Sequence, residues 1–105
     1  MKNPTAIPDT AKFPLGGIVS TPGALDACTS EYLRECLLRH IQGDWGVVSA
    51  DDAAENDLSL RQGSRLLSAY PIDPANPNKG NLWIITEADR SATSILLSAE
   101  WRSEK

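Results

Sequence analysis

The sequence predicts an α+β fold: a short N-terminal strand, two helices, and then a three-stranded antiparallel meander packed on the helices. An apolar stripe with helical spacing lies in the first half of the chain, and three segments rich in β-branched, aromatic and aliphatic residues lie in the second half. Because helical and strand-like segments are grouped rather than alternating, the pattern favours α+β over a parallel α/β architecture.

The best-defined predicted helix begins near Ser30, a candidate N-cap with Glu31 in the first turn. Its apolar positions recur at i, i+3, i+4, i+7 and i+8, which is one stripe of a helix. Gly43 follows where a helix end requires a left-handed residue. The stripe consists of Leu33, Cys36, Leu37, His40 and Ile41.

The segments on either side of this helix also carry start and stop signals. "GGIVST" (16–21) is a short strand-like run, and Thr21 with Pro22 has the residue types of a helix start. Ser49 with Asp52 three residues later resembles a capping box, so a helix is predicted from there to Gly63.

The meander is predicted from residues 64–72, 81–88 and 92–99. The first two strands are joined by "DPANPNKG", a loop with two prolines and a glycine. The last two are joined by "DRS", which is short enough for a tight hairpin.

Residues 1–12, which include Pro4 and Pro8, are predicted to form a flexible N-terminal arm, and residues 13–102 a single domain. No apolar run approaches the roughly 18 residues that span a bilayer, and no secretory signal is visible. We therefore predict a cytoplasmic protein without membrane contact. Cys28 and Cys36 match no zinc spacing and are interpreted as buried apolar groups, so neither a metal site nor a cofactor is predicted.

The charge balance bears on the partner. The chain has 10 basic and 14 acidic residues, a net charge of −4, and its lysines are scattered. A nucleic-acid binder usually has a surplus of basic residues, so nucleic acid is not predicted as the main partner. The acidic balance favours another protein with a basic face, with the chain itself either a monomer or a dimer.

"RHIQGDWG" (39–46) contains the only histidine and allows two interpretations. In the first, His40 is a general acid or base and Asp44 fixes its tautomer. In the second, the segment is a helix end followed by a turn, with Trp45 folded back onto the core. We favour the second.

Acidic residues without a base among them surround the start of the second helix. Asp51, Asp52 and Glu55 are at the end of the helix where negative charge is favourable, and their spacing is not that of an EF-hand. A solvated helix start is the plain interpretation, and a protein-recognition face is the functional one. The predicted binding residues are Asp44, Trp45, Asp51, Asp52, Glu55 and Arg90.

"TEADRSATS" (86–94) concentrates polar groups in the predicted hairpin. Glu87 and Arg90 could form an ion pair across the turn. Alternatively, Arg90 could bind an anion together with the hydroxyls of Ser91 and Thr93.

Five segments resemble a family of short, uncharacterised bacterial proteins found on plasmids and other mobile elements, sometimes labelled plasmid-related. The resemblance covers residues 13–101 and is most specific at "HIQGDWG" and "WIITEADRS", while the family's Leu-Leu-Pro-Glu-Tyr ending is replaced here by "LLSAEW". It implies carriage by a mobile element and brings no established activity. The segments are "FPLGGIVSTPGALDA", "LLRHIQGDWGVV", "DDAAENDLSL", "GSRLLSAYPI" and "LWIITEADRSATSILL".

Two functions follow as hypotheses. The favoured one is a small acidic interaction module of a mobile element, an inhibitor or accessory factor acting on a nucleic-acid-binding host protein. The alternative is a small RelE-like or barnase-like ribonuclease toxin, with His40 as acid/base and Arg65 or Arg90 holding phosphate.

Overall fold

The computed structural model describes residues 11–102 of the chain. Most of the predicted arm, residues 1–10, lies outside the described residues; at residue 12, the Lys12 N–H donates to the Ile41 carbonyl at 2.7 Å. The elements are β1 (Gly17–Ser20), α1 (Pro22–Ala27), α2 (Ser30–Ile41), α3 (Ala50–Gln62), β2 (Leu66–Pro71), β3 (Asn81–Thr86), β4 (Ala92–Leu97) and α4 (Ser98–Arg102), with a 3-10 turn at Pro77–Lys79 between β2 and β3.

The α+β class is confirmed, but two details of the predicted architecture were wrong. Among the described residues there are four α-helices rather than two: the start signal at Thr21 and Pro22 does begin a short helix, Pro22–Ala27, which the predicted order did not count, and Ser98–Arg102 forms another. The sheet has four strands in the order β1-β4-β3-β2, and β1 pairs with β4 in parallel. Parallel neighbours need a long crossover connection, so no local turn signal marks this pairing in the sequence.

Most helix boundaries follow from capping side chains. Thr21 accepts a hydrogen bond from Ala24 N–H at 3.1 Å, and Ser49 accepts one from Asp52 N–H at the same distance, as predicted. The cap of α2 is Thr29 rather than Ser30, since the Thr29 hydroxyl accepts from Tyr32 N–H. Gly63 ends α3 in the left-handed conformation, with φ of 74°.

The helices α1 and α2 pack on one face of the sheet. Their side chains Ala24 and Cys36 are fully buried against alternate residues of the strands, among them Tyr70, Ile84 and Ile95. A second cluster, at the C-terminal end of α2, adds apolar side chains of α3 and of the segment before β1. It is built on Phe13, Leu15, Ile41, Trp45 and Leu66.

The outer edge of β2 is covered by groups from three different segments. The side-chain amide of Asn56 donates to the Leu67 carbonyl at 2.7 Å and accepts from the Leu67 N–H at 3.1 Å, as a neighbouring strand would. Ala69 is bonded in the same way by backbone groups of Trp45 and Val47. Pro71 has no N–H, and its carbonyl accepts a hydrogen bond from the Tyr32 hydroxyl. This contact completes the cover of the edge.

None of the described helices is long and apolar enough to cross a membrane.

Candidate functional site

His40 is fully buried between α2 and the sheet, with 0% of its surface exposed. Its Nδ1 lies 2.5 Å from the Ser68 hydroxyl on β2, and its Nε2 lies 2.9 Å from the Thr86 hydroxyl on β3. Both ring nitrogens therefore have partners, and the ring cross-links α2 to two neighbouring strands.

The hydroxyls beyond His40 determine which of its nitrogens carries the proton. The Thr93 hydroxyl donates to the Leu15 carbonyl at 2.7 Å, because a carbonyl can only accept. Thr93 then accepts from Thr86 at 2.8 Å, and Thr86 in turn accepts from His40. This order assigns the proton to Nε2, and leaves Nδ1 to accept from Ser68.

Aromatic rings surround the imidazole and exclude water from it. The Phe13 ring meets it edge-on at 5.1 Å between centroids, and the Trp45 ring at 5.8 Å. Burial, and secondarily the positive charge of Arg90, lower the pKa of His40 from its ordinary 6.5 to about 3. His40 is therefore neutral at physiological pH.

The contact between His40 and Ser68 has the spacing of a base and a hydroxyl nucleophile, but nothing can reach it. Ser68, like His40, has 0% of its surface exposed, so no substrate atom can approach either group. The hydrogen-bonded chain through Ser68, His40, Thr86 and Thr93 is a polar support inside the core, since none of its buried atoms is left unpaired.

Asp44 does not pair with His40, so that sequence-based hypothesis was wrong. Its carboxylate binds the guanidinium of Arg39 through two hydrogen bonds, of 2.7 and 3.2 Å, and also accepts from the Gly46 N–H. The hydrogen bond from Arg39 is the main cause that lowers the pKa of Asp44. Because both side chains are substantially exposed, we expect this ion pair to stabilise the turn only weakly.

Trp45 lies in the core, with 5% of its surface exposed. Its Nε1–H donates to the Asp57 carboxylate at 3.0 Å, and its ring stacks on Phe13 at 6.3 Å. This burial agrees with the interpretation that Trp45 folds back onto the core. It leaves little of the ring for contact with a partner.

Arg90 uses its guanidinium to hold backbone carbonyls. One terminal nitrogen donates to the carbonyls of Ser64, Glu87 and Ala88 at 2.6–3.2 Å, and the other donates to the Ser59 carbonyl at 3.1 Å. The residue has a positive φ of 61° in the β3–β4 hairpin. It therefore fastens this hairpin to the end of α3, and its nitrogens face carbonyl oxygens rather than an open anion site.

Arg65 is on the surface, where it forms an ion pair with Glu87 at 3.2 Å. The expected ion pair between Glu87 and Arg90 is thus replaced by one with Arg65, while Arg90 contacts only the Glu87 backbone. Since His40 is buried, Arg65 exposed and Arg90 engaged with carbonyls, these three residues do not form a common site for phosphate.

The acidic residues of α3 have a different environment. Asp51, Asp52 and Glu55 are all exposed, and none of the three has an ion-pair partner among residues 11–102. Helix spacing places Asp51 and Glu55 on the same side of α3 as Leu58, whose side chain is 38% exposed. Val47, just before the helix, is 55% exposed. We call these five residues the α3 face.

Cys28 and Cys36 are free and buried, which confirms the interpretation from the sequence, and burial raises the pKa of both thiols. Across the described range 11–102, no three His, Cys, Asp or Glu side chains are grouped so that they could hold a metal ion.

Sequence reasoning missed Asn56 and the three hydroxyl partners of the His40 network. A signal for the hydroxyls was present: Ser68, Thr86 and Thr93 each lie two residues along a strand from a large apolar residue that faces the core, and so face the core themselves. A polar residue at such a position needs a buried partner, and the only buried imidazole was available for it. Nothing in the sequence paired Asn56 with Leu67.

Comparisons of the chain with protein-family models, with curated proteins and with solved structures found no match, so the resemblance to plasmid-related proteins stays a prediction.

Proposed function

We propose that this protein is an interaction module that binds a basic surface of another protein through the α3 face. The observation that carries the proposal is the combination of three exposed carboxylates, which have no ion-pair partner among the described residues, with two exposed apolar side chains: Val47 just before α3 and Leu58 on it. Interfaces commonly have an apolar centre and a polar rim, and acidic groups attract a basic partner before contact.

The biological setting in this proposal comes from the resemblance stated above. The module serves a bacterial mobile element as an inhibitor or accessory factor, and its target is a nucleic-acid-binding host protein. Such proteins carry the basic surfaces that an acidic face fits.

The ribonuclease alternative receives no comparable support. It requires an accessible acid or base close to a free cationic group. His40 is inaccessible and neutral, and the nitrogens of Arg90 are engaged with carbonyls. Among the described residues the three groups named for that mechanism have structural contacts instead.

A charge-reversal experiment tests the α3 face. A tagged wild-type chain first captures partners from a bacterial lysate by crosslinking, and a captured protein is then purified for titration. We expect the variant Asp51→Lys/Asp52→Lys/Glu55→Lys to bind it at least about tenfold more weakly than wild type, because each lost attraction becomes a repulsion. Binding of the wild type should also weaken as salt is raised.

The matched control reverses three exposed acids on α1 and α2: Asp26, Glu31 and Glu35. Both triple variants change the net charge by the same amount, and both change the first turn of a helix, which costs about 0.3–1 kcal/mol per residue. The control should bind like wild type. If both variants bind like wild type, or both lose binding equally, the α3 face is not the binding surface.

A further inference from the structure

β1 is the outermost strand of the sheet on the side opposite β2. The N–H groups of Gly17 and Thr21 point inward and donate to the carbonyls of Ser91 and Ile95, both at 3.0 Å. Because peptide groups alternate in direction along a strand, those of Ile18 and Ser20 point outward. Among residues 11–102, the outward N–H and C=O groups of Ile18 and Ser20 have no hydrogen-bond partner.

The side chains along this edge are apolar and exposed. Ile18 is 50% and Val19 is 58% exposed, on opposite faces of the strand, although apolar strand residues are usually covered. Natural edge strands usually discourage pairing with a charge, a proline or a bulge. β1 contains none of these, and only its length of four residues limits it.

Charge makes one kind of partner suitable for this edge. The net charge of the chain is −4, so two copies repel each other over most of their surface. From Phe13 to Leu25, however, the sequence has no charged residue. Glu100 is the carboxylate that the fold brings to this segment, and it accepts hydrogen bonds from the Thr21 hydroxyl and the Leu97 N–H just beyond the end of β1. Two copies can therefore bring their β1 strands together with little repulsion, whereas a strongly charged partner would find no charge on the strand itself to pair with.

We propose that the outer edge of β1 is a self-association surface, on which a second copy of the chain adds its own β1 in antiparallel orientation. With the two-fold axis at Val19, Ile18 of each copy lies opposite Ser20 of the other, and their outward N–H and C=O groups form four hydrogen bonds. The two Val19 side chains then meet on one face, and the two sheets become one continuous sheet.

The small size of the β1–β1 contact determines the affinity that we expect for the dimer. Four residues of strand are about 13 Å long, which places this contact at the small end of protein interfaces. The dimer therefore dissociates on dilution. This surface is at the opposite edge of the sheet from the strand that α3 covers, so the proposal does not depend on the α3 face.

Sedimentation velocity over a wide concentration range tests the proposal with the full chain. The weight-average mass of the wild type should rise from 11.4 kDa toward twice that value. Val19→Lys should weaken dimerisation at least about tenfold, because it places two ammonium groups directly opposite each other. Ala54→Lys is the control: Ala54 is an exposed apolar residue of α3, the helix that covers the opposite edge of the sheet, and it is not part of the α3 face.

Amide hydrogen exchange of the wild type gives a second measurement that needs no variant. The amides of Ile18 and Ser20 should become protected as concentration rises, while those of Gly17 and Thr21 are protected throughout. A monomer at every concentration, or a dimer that loses affinity equally in both lysine variants or in neither, overturns the proposal. So does a monomer in which Ile18 and Ser20 are protected, because the same chain would then cover the edge.

Discussion

The two outer edges of the sheet differ in how their outward peptide groups are satisfied. Along β2, Leu67, Ala69 and Pro71 all have partners, and these come from as far as 39 residues away in the sequence. Along β1, the outward groups of Ile18 and Ser20 have no partner among the described residues. The comparison shows that a closed edge is a tertiary construction, for which several separate segments supply individual groups.

Gly46→Ala should damage the closed edge most. A Cβ at this position would lie 1.9 Å from the Ala69 carbonyl oxygen, and the φ of 78° is itself unfavourable for alanine. The segment cannot move away without breaking the bond from Val47 N–H to Ala69. We expect a loss of about 3 kcal/mol or more in the free energy of unfolding, measured with urea.

Gly63→Ala is the control for this substitution. Gly63 has a similar φ of 74°, but nothing lies within 4 Å of the added Cβ. Its cost should be limited to the left-handed conformation, about 1 kcal/mol. Equal losses in the two variants would show that the close approach of Gly46 to β2 contributes nothing.

Asn56→Ala should open one position of the closed edge. The side chain is 4% exposed and satisfies both peptide groups of Leu67, so its removal leaves a donor and an acceptor unpaired. We expect a loss of about 2 kcal/mol in urea unfolding and faster amide exchange at Leu67. Glu55→Ala, an exposed neighbour on the same helix, should change stability by less than about 0.5 kcal/mol. If the two variants are equally stable, Asn56 does not close this edge.

The free energy of unfolding should decrease as the pH is lowered below the ordinary pKa of histidine, because His40 is buried in its neutral form. Its pKa is about 3 in the folded protein and 6.5 in the unfolded chain. Above pH 6.5 the ring is neutral in both states, and as pH falls from 6.5 toward 3 only the unfolded chain takes up the proton. The folded state should therefore lose about 1.4 kcal/mol per pH unit in this range, or about 2 kcal/mol by pH 5.

Urea unfolding between pH 7 and pH 5 measures this loss. His40 is the only histidine, so no other imidazole contributes, and His40→Gln should lack most of the slope. An NMR titration of the ring gives a direct reading in the folded protein. A ring that protonates near pH 6.5 would contradict the buried network, which joins β2 to β3 just inside the closed edge.

Two proline substitutions compare the two edges of the sheet. The one on β1 should change the free energy of unfolding only slightly, and the one on β2 should lower it strongly. Proline lacks an N–H, so it is tolerated at an edge position whose N–H faces solvent. Ser20→Pro should cost less than about 1 kcal/mol in a dilute monomer. Ala69→Pro removes the bond from Ala69 N–H to the Trp45 carbonyl and should cost about 3 kcal/mol or more. Similar losses would mean that the edges do not differ as described.

The sequence by itself determined most of the local elements, although not the short helix α4 or the cap of α2. Thr21, Ser49 and Gly63 are at helix ends for reasons contained within a few residues, namely a capping hydroxyl or a glycine able to adopt positive φ. The stripe of α2 also predicted the buried positions: Leu33, Cys36, His40 and Ile41 are buried, and the fifth member, Leu37, is partly buried. The interpretation of 39–46 as a helix end and turn agrees with Gly43 at φ of 83°.

Only the tertiary structure decided how distant groups pair. His40 has partners 28 and 46 residues away, Arg90 contacts the end of α3 rather than its own hairpin alone, and β1 joins β4 across most of the chain. Each of these side chains, like the strand β1, had several chemically suitable partners in the sequence. Which one it meets depends on packing of the core and on closure of the sheet, and neither leaves a local signal.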